Sequence, residues 1–463
     1  MIYKKFYFKN YKGIKDKVEI DIDANSKKPY CIIGNNESGK TTILKGINII
    51  GRLCCGDKLN DDETSEIKPN IDYWTGEIEL STIISYKSNE IEEQFLHTNK
   101  EDDNKIDICF CLSYKKGIYQ GIKKNISLNG VMITEEKKQK QFYQAIKKYS
   151  QEIVYYEDFM FEIPNYILYQ KNKNIKIKDE NKLLQLKSPS NKFWQEVLDN
   201  LIKGAYNDNT MNFKDDFVYY DYEKNKTPSA LPKMSQFLTE RIGSWSKNKD
   251  SNIKMIRIEE DRNDEEVVKY YIRILTDNEN GYNIKERSKG FQWSFCFTTL
   301  TEIKKYKNEN GFIFLLDEPA SNLHIASQSE MLEKMSNLCE NKNIAIYSTH
   351  APDLIDINNI NNMFVVKNNA SEMEDTSIIL ASFQQQEFPN GITLTDIEVL
   401  IARFVYQGVK SISIDEKGHS KWDDIIKFFT NSKVERATNI FSNLANIFSK
   451  FPLLKNLFKN LFS

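Results

Sequence analysis

The feature that most constrains the fold is a glycine-rich turn, GNNESGKT, which spans residues 34–41 and follows the apolar run PYCII. It fits the pattern G-x-x-x-x-G-K-[ST] in full, with a predicted strand before it and a predicted helix, TTILKGINIIG, after it. Glycines at both ends let the backbone N–H groups point into one concavity, which the positive N-terminal end of the helix also faces. The sequence therefore predicts a phosphate-binding loop, for which an ordinary glycine turn is the weaker alternative.

The residue types in this loop match the chemistry of a bound nucleotide. The Lys40 ammonium can reach the β- and γ-phosphates, and the Thr41 hydroxyl can ligate Mg²⁺. We therefore expect ATP and Mg²⁺ as cofactors, with Thr41 as one metal ligand. The expected nucleotide-binding residues are Gly34, Asn35, Asn36, Glu37, Ser38, Gly39, Lys40, Thr41 and Thr42.

An acidic pair, Asp317 and Glu318, directly follows the apolar run GFIFLL. A buried parallel strand presents acids in this way at its carboxyl end. We predict that Asp317 holds Mg²⁺ through water and that Glu318 orients and deprotonates the attacking water. A strand ending in a solvated acidic turn explains the pair less well, because a phosphate-binding loop requires such acids.

A further apolar run, IAIYST, ends at Thr349 and is followed by His350, one of four histidines in the chain. A lone histidine is more often structural than catalytic. Its place directly after the next predicted strand nevertheless favours a sensor of the γ-phosphate, so His350 is a second candidate catalytic residue.

These three motifs together resemble the ABC-class ATPase heads of SMC and RecF proteins, in which an insertion separates two lobes. The resemblance covers about residues 1–60 and 250–370. It implies a signature turn shortly before the acidic strand, and the stretch RSKGFQW at 287–293 occupies that place. The compact insertion is similar to the OLD or RecF shape and unlike a long-armed SMC protein.

The stretch RSKGFQW departs from the usual Ser-Gly-Gly-Gln turn, since Lys289 stands where the first glycine would be. It looks like the version in OLD-like ATPases, which include many phage-defence proteins. The resemblance implies that Ser288, Lys289 and Gly290 contact ATP held by a second protomer, and that Ser321 and Asn322 lie near the partner's site. A plain amphipathic helix with Ser288 as its N-cap is the structural alternative.

Composition excludes several classes of protein. In 463 residues, 64 Lys and Arg balance 66 Asp and Glu, so the whole chain is not a basic nucleic-acid coat. The seven cysteines are scattered without CxxC pairs, which favours reduced thiols over a zinc site or a disulfide framework. Because no apolar run resembles a signal peptide or a membrane span, we expect a soluble, cytoplasmic protein.

We predict an α/β fold: a P-loop ABC-type ATPase head with a β-rich arm, a helical insertion and a small, mostly helical C-terminal region. Short alternating runs between residues 72 and 130 predict an antiparallel sheet, and the helix after the phosphate loop is predicted to stop at Gly51. The predicted parts are 1–180 (first lobe and arm), 181–250 (helical insertion), 251–370 (second lobe with signature, acids and His350) and 371–463 (C-terminal cap or docking region).

The C-terminal region and two basic stretches leave alternatives open. No Asp-x-Asp follows residue 370, which argues against a TOPRIM nuclease in this chain. The apolar face of the tail, 439–463, favours core packing or oligomer contact, with partner docking or a membrane-surface helix as alternatives. The basic stretches 137–148 and 171–178 could track DNA phosphates, but a solvated helix face and a charged loop explain them equally well.

The sequence thus predicts a Mg²⁺-dependent ATPase, and the resemblance implies a homo-oligomer that forms at least an ATP-dependent dimer. It further implies a sensor that controls a separately encoded effector, such as a nuclease or toxin, in antiphage defence. The alternative is a RecF-like DNA repair or recombination ATPase acting on DNA.

Overall fold

The structure, a computed structural model, divides the chain into two compact units. Unit 1 comprises Met1–Glu157, Asn310–Ser321 and Ile325–Ser463, and unit 2 comprises Asp158–Glu309 and Asn322–His324. The described residues are 1–69, 75–87, 104–156, 163–219, 230–243, 253–276, 281–301, 310–319, 325–340, 342–368, 378–384, 392 and 396. Ser321, Asn322 and the tail 439–463 lie outside them, so the predictions for these residues stay predictions.

The described residues form sixteen strands and eight α-helices. The strands are β1 Ile2–Lys9, β2 Val18–Asp21, β3 Tyr30–Ile33, β4 Gly76–Tyr86, β5 Asn104–Lys115, β6 Ile118–Leu128, β7 Val131–Met132, β8 Glu152–Tyr156, β9 Ile167–Gln170, β10 Ile253–Asp261, β11 Val267–Thr276, β12 Gly281–Asn283, β13 Phe312–Leu316, β14 Ile344–Thr349, β15 Met363–Asn368 and β16 Ile378–Ser382. The helices are α1 Lys40–Cys54, α2 Asp61–Glu66, α3 Glu136–Tyr149, α4 Glu180–Lys187, α5 Pro189–Tyr206, α6 Ala230–Gly243, α7 Lys289–Thr301 and α8 Ile325–Leu338.

The central sheet of unit 1 has the strand order β16-β15-β3-β14-β13-β8. The strands from β15 to β8 are parallel, and β16 pairs antiparallel with β15 at the edge. Every residue of β3, β13 and β14 is buried, as expected for strands covered on both faces. Because β14 lies between β3 and β13, the segments that follow these three strands meet at one edge of the sheet.

The β-rich arm predicted between residues 72 and 130 is confirmed as an antiparallel sheet. Its order is β2-β1-β4-β5-β6-β7, and β4 and β5 alternate between buried and partly exposed residues along their length. The buried faces join one apolar core with α1 and α3, including Leu80, Phe110, Ile47 and Phe142. The arm and the central sheet therefore share the core on which the phosphate loop is built.

Helix α1 was predicted to stop at Gly51, but it continues to Cys54. Gly51 serves close packing instead of termination, since a Cβ atom there would lie 2.7 Å from Ile153 Cδ1 and 3.0 Å from Ile153 Cβ. The missing side chain lets β8 approach the helix. The prediction was wrong because a helical glycine has a packing reason that the local sequence does not reveal.

Unit 2 contains the sheet β10-β11-β12, with β9 paired to β11, and the helices α4 to α7. Helix α6 is tied to β10 by two hydroxyls: Ser235 Oγ accepts from Ile258 N at 2.9 Å, and Thr239 Oγ1 accepts from Ile256 N at 2.9 Å. The helices predicted within 181–250 therefore pack on a sheet. The four-part division of the chain stays a prediction.

Of the C-terminal region, predicted to be mostly helical, the structure describes residues 378–384, 392 and 396, and these include β16, which pairs with the edge of β15. The prediction for the rest of the region stays a prediction. A strand here satisfies the β15 backbone, which local sequence alone did not indicate. Among the helices that the structure describes, none is long and apolar enough to cross a membrane.

The packing of Gly51 on Ile153 is testable by substitution. We expect Gly51→Ala to lower the free energy of unfolding by about 1 kcal/mol, because overpacking outweighs the gain in helix propensity. In an Ile153→Val background, which removes the nearest atom, the same substitution should cost less. Chemical denaturation of the four proteins measures this, and an equal cost in both backgrounds would contradict the packing role.

Candidate active site

The turn between β3 and α1 has the backbone of a phosphate-binding loop. Gly39 has φ 104° and Glu37 has φ 64°, both in the left-handed region. A Cβ atom on Gly34 would lie 2.5 Å from the Val366 carbonyl oxygen and would also collide with the Ser38 hydroxyl. The glycine pattern therefore follows from the conformation and from the close approach of β15.

One polar atom of this loop has no partner within the described structure. The Ser38 hydroxyl oxygen is buried and makes no hydrogen bond. Buried polar groups are normally hydrogen-bonded, and a phosphate oxygen is an acceptor that this hydroxyl could use. Together with the left-handed backbone and the start of α1, this orphaned hydroxyl makes the loop fit a nucleotide phosphate.

Lys40 is the first residue of α1, and its side chain is 6% exposed and surrounded by hydrogen-bond acceptors. Its ammonium donates to the carbonyl oxygens of Gly34 at 2.8 Å and Asn35 at 3.0 Å. It also lies 3.2 Å from Glu318 Oε1. The three protons of the ammonium thus have three acceptors, two on the loop and one on the acidic pair.

The Asp317 carboxylate follows β13 and accepts three hydroxyl hydrogen bonds. Thr41 Oγ1 donates to Oδ2 at 2.7 Å, Tyr155 donates to Oδ2 at 3.2 Å, and Ser348 Oγ donates to Oδ1 at 2.5 Å. The Thr41 hydroxyl and this carboxylate form an oxygen pair of the kind that Mg²⁺ prefers. These two residues therefore fit a magnesium ion.

Glu318 bridges the lysine of the loop and the histidine after β14. Its Oε1 faces Lys40, and its Oε2 lies 2.9 Å from His350 Nδ1. Its backbone has φ 45°, unusual for a residue with a side chain, and its N–H donates to Ser348 Oγ at 2.9 Å. The side chains of Glu318 and His350 are 27% and 46% exposed, so both are open to solvent at the rim of the site.

The structure brings together four of the predicted elements: the loop 34–42, Asp317, Glu318 and His350. The predicted signature residues lie in unit 2. There the Ser288 hydroxyl accepts from Phe291 N at 3.3 Å, as an N-cap does, and Ser288 is exposed at the start of α7. The structural alternative for Ser288 is thus realised, and the signature role of Ser288, Lys289 and Gly290 stays a prediction.

Two residues of the site, Tyr155 and Ser348, were not predicted from the sequence. Each is the penultimate residue of a strand that flanks β13, namely β8 and β14. For Ser348 there was a signal, since the run IAIYST ends in two polar residues, Ser348 and Thr349, at the strand end. For Tyr155 there was none, because nothing local shows that β8 pairs with β13.

The buried titratable side chains on the strands that precede the loop and His350 are uncharged. Burial raises the pKa of the Cys31 thiol on β3 to about 12, and burial raises the pKa of Tyr347 on β14 well above its usual range. Both side chains are therefore neutral at physiological pH. Charge at this edge of the sheet is confined to the residues beyond the strand ends.

A family model for AAA ATPase domains, AAA_15, matches residues 1–355. The chain belongs to this family. The matched range contains the phosphate loop, the acidic pair and His350, and it ends before β15. The family confirms the predicted α/β P-loop ATPase fold and supports ATP hydrolysis as the general activity.

Further similarities are partial or distant. An uncharacterized protein of Methanocaldococcus jannaschii is 35% identical over 83 residues, which are 17% of this chain and 21% of that protein. The match therefore spans about a fifth of that relative's length. A crystal structure of the Smc head bound to the C-winged helix domain of ScpA covers 82% of this chain and 98% of its own, with 13% identity and a TM-score of 0.46. The SMC head domain from Thermotoga maritima covers 82% of this chain and 100% of its own, with 14% identity and a TM-score of 0.38.

The position of Lys40 predicts the effect of its removal. We expect Lys40→Ala to weaken ATP binding on the order of 100-fold, because charge-assisted hydrogen bonds to phosphate are lost. Lys45→Ala, on the same helix, is the matched control and should bind ATP as the wild type does. Calorimetric titration with ATP measures both, and an unchanged affinity of Lys40→Ala would contradict the assignment of the loop.

Proposed function

We propose that this site hydrolyses ATP with Mg²⁺. The observation that carries the proposal is the double contact of Glu318, whose two carboxylate oxygens face Lys40 and His350 beside the Thr41–Asp317 pair. An acid, a cation and an imidazole are thereby gathered around the place where the end of a phosphate chain would lie. Phosphoryl transfer depends on this kind of positioning and charge stabilisation.

Each group has a defined role in this proposal. The backbone N–H groups of the loop, the Ser38 hydroxyl and the Lys40 ammonium bind the phosphates. Thr41 and Asp317 would hold Mg²⁺, which when bound neutralises charge on the phosphate oxygens. Glu318 orients a water molecule and accepts its proton at a carboxylate oxygen, and His350 contacts the terminal phosphate.

The contacts of Lys40 further predict a competition between Glu318 and the nucleotide. Lys40 contacts Glu318 and two loop carbonyls in the structure. Phosphate oxygens must draw the ammonium away from Glu318, which leaves that carboxylate free to accept a proton. Binding of ATP and activation of the base are thus coupled through one lysine.

Glu318→Gln tests both parts of this coupling. Hydrolysis should fall by about 10²- to 10⁴-fold because the general base is lost, while a non-hydrolysable ATP analogue should bind several-fold more tightly than to the wild type because Lys40 has lost its competing carboxylate. Phosphate release and calorimetric titration give the two values.

Glu19→Gln is the matched control, since Glu19 is an exposed acid on β2, outside the phosphate loop and the acidic pair. It makes the same chemical change and should hydrolyse ATP at the wild-type rate. Normal hydrolysis by Glu318→Gln would mean that the base is another residue.

The proposal includes an ATP-dependent dimer in which the Ser288-Lys289-Gly290 turn of one protomer contacts ATP on the other. The resemblance to ABC-class heads supports it, and the exposure of Ser288 is compatible with a contact between protomers. The biological role proposed on the same resemblance is a sensor that controls a separately encoded effector, such as a nuclease or toxin, in antiphage defence.

A DNA repair or recombination ATPase of RecF type is the second candidate, favoured by the surface of α3. Lys137, Lys140 and Lys147 are exposed there at a spacing that places them on one face of the helix. Such a face can follow phosphates. Stimulation of ATP hydrolysis by DNA would favour this candidate over the effector-controlling sensor.

The dimer is tested by mass. Light scattering should find a monomer for Glu318→Gln alone and a dimer with Mg²⁺ and ATP, because the uncleaved nucleotide stays between the protomers. Adding Ser288→Ala to the Glu318→Gln variant should weaken this dimer. The affinity of the monomer for ATP should stay unchanged. A dimer that forms without ATP, or a monomer at all ATP concentrations, would contradict the proposal.

A further inference from the structure

The Asp317 carboxylate is held from three separate elements at once. Thr41 reaches it from α1, Tyr155 from β8 and Ser348 from β14. Because β13 pairs with β8 on one side and with β14 on the other, Tyr155 and Ser348 approach from opposite sides. They donate to different carboxylate oxygens, Oδ2 and Oδ1, and so fix the plane of the carboxylate as well as its position.

The three donors differ in what a metal ion would require of them. The Thr41 oxygen is itself a predicted metal ligand, and because a hydroxyl has one proton and two lone pairs, it could bind the ion while it donates to Asp317. Tyr155 and Ser348 contact the carboxylate only as hydroxyl donors. Partners of this kind orient ligands without binding the metal and strongly affect metal affinity.

Ser348 has a second contact within the site. Its hydroxyl oxygen accepts from the backbone N–H of Glu318, which has the left-handed φ of 45°. A residue with a side chain keeps such a conformation only where its surroundings enforce it. One buried hydroxyl thus connects the metal ligand with the backbone of the predicted base.

We propose that Tyr155 and Ser348 are positioning residues that orient Asp317 for Mg²⁺, and that Ser348 in addition fixes the backbone of Glu318. This inference rests on the proposed ATP hydrolysis. Tyr155 contacts the metal ligand, whereas Ser348 contacts both acids. The two residues should therefore give different signatures when they are substituted.

Binding of Mn²⁺, followed by the paramagnetic resonance of the free ion, tests the role of Tyr155. With a non-hydrolysable ATP analogue bound, Tyr155→Phe should bind Mn²⁺ about tenfold more weakly than the wild type. The analogue should bind equally well to both proteins without metal. In ATP hydrolysis the Mg²⁺ concentration at half-maximal rate should rise in the same proportion, and saturating Mg²⁺ should restore the wild-type rate.

Tyr143→Phe is the matched control for the loss of a hydroxyl. The Tyr143 hydroxyl is buried on α3 and has no hydrogen-bond partner among the described atoms. This variant should bind Mn²⁺ as the wild type does. Ser348→Ala should weaken Mn²⁺ binding. It should also lower the rate of ATP hydrolysis at saturating Mg²⁺, because the backbone N–H of Glu318 loses the hydroxyl that accepts its hydrogen bond.

The outcomes separate this inference from the function on which it rests. Wild-type Mn²⁺ affinity in Tyr155→Phe, together with lost affinity in Asp317→Asn, would overturn the positioning role and leave the proposed function intact. Equal Mn²⁺ affinity in the wild type and Asp317→Asn would overturn the proposed metal site itself. The expected order of affinity is wild type, then Tyr155→Phe, then Asp317→Asn, and Tyr155→Phe remains informative if Ser348→Ala fails to fold.

Discussion

The parallel alignment of β3, β14 and β13 is the constraint on which the site depends. Parallel neighbours bring their carboxyl ends to one edge of the sheet, so the loop after β3, His350 after β14 and the acids after β13 become neighbours in space. All residues of these three strands are buried, so the strands fix where these segments begin. Thr41 and Asp317, which are 276 residues apart in the sequence, can then form a hydrogen bond, and Lys40 can contact Glu318.

The contacts at this edge connect one ammonium, two carboxylates and three hydroxyls. Lys40 is shared between the loop carbonyls and Glu318, while Asp317 is surrounded by hydroxyl donors. A nucleotide would compete for the lysine, and a metal ion would bind lone pairs of the Thr41 hydroxyl and of the Asp317 carboxylate. The proposed chemistry therefore begins with an exchange of partners among groups that are already close together.

Local sequence patterns were sufficient for part of this structure. The glycine pattern predicted the loop, and the apolar runs ending in Asp317 and Thr349 predicted the strands that position the acids and His350, because these signals lie within a few residues of each other. Tyr155 was not predictable, since its contact with Asp317 depends on the pairing of β8 with β13. The end of α1 at Gly51 was misjudged for a similar reason, because a packing neighbour, Ile153, explains the glycine there.

A crystal structure of the Glu318→Gln variant with Mg²⁺ and ATP would test the exchange of partners at Lys40. We expect the Lys40 ammonium to have left the carbonyl oxygens of Gly34 and Asn35 for the phosphates, with Thr41 and Asp317 beside the metal ion. Nucleotide bound elsewhere, with Lys40 still on the loop carbonyls, would contradict the proposed site.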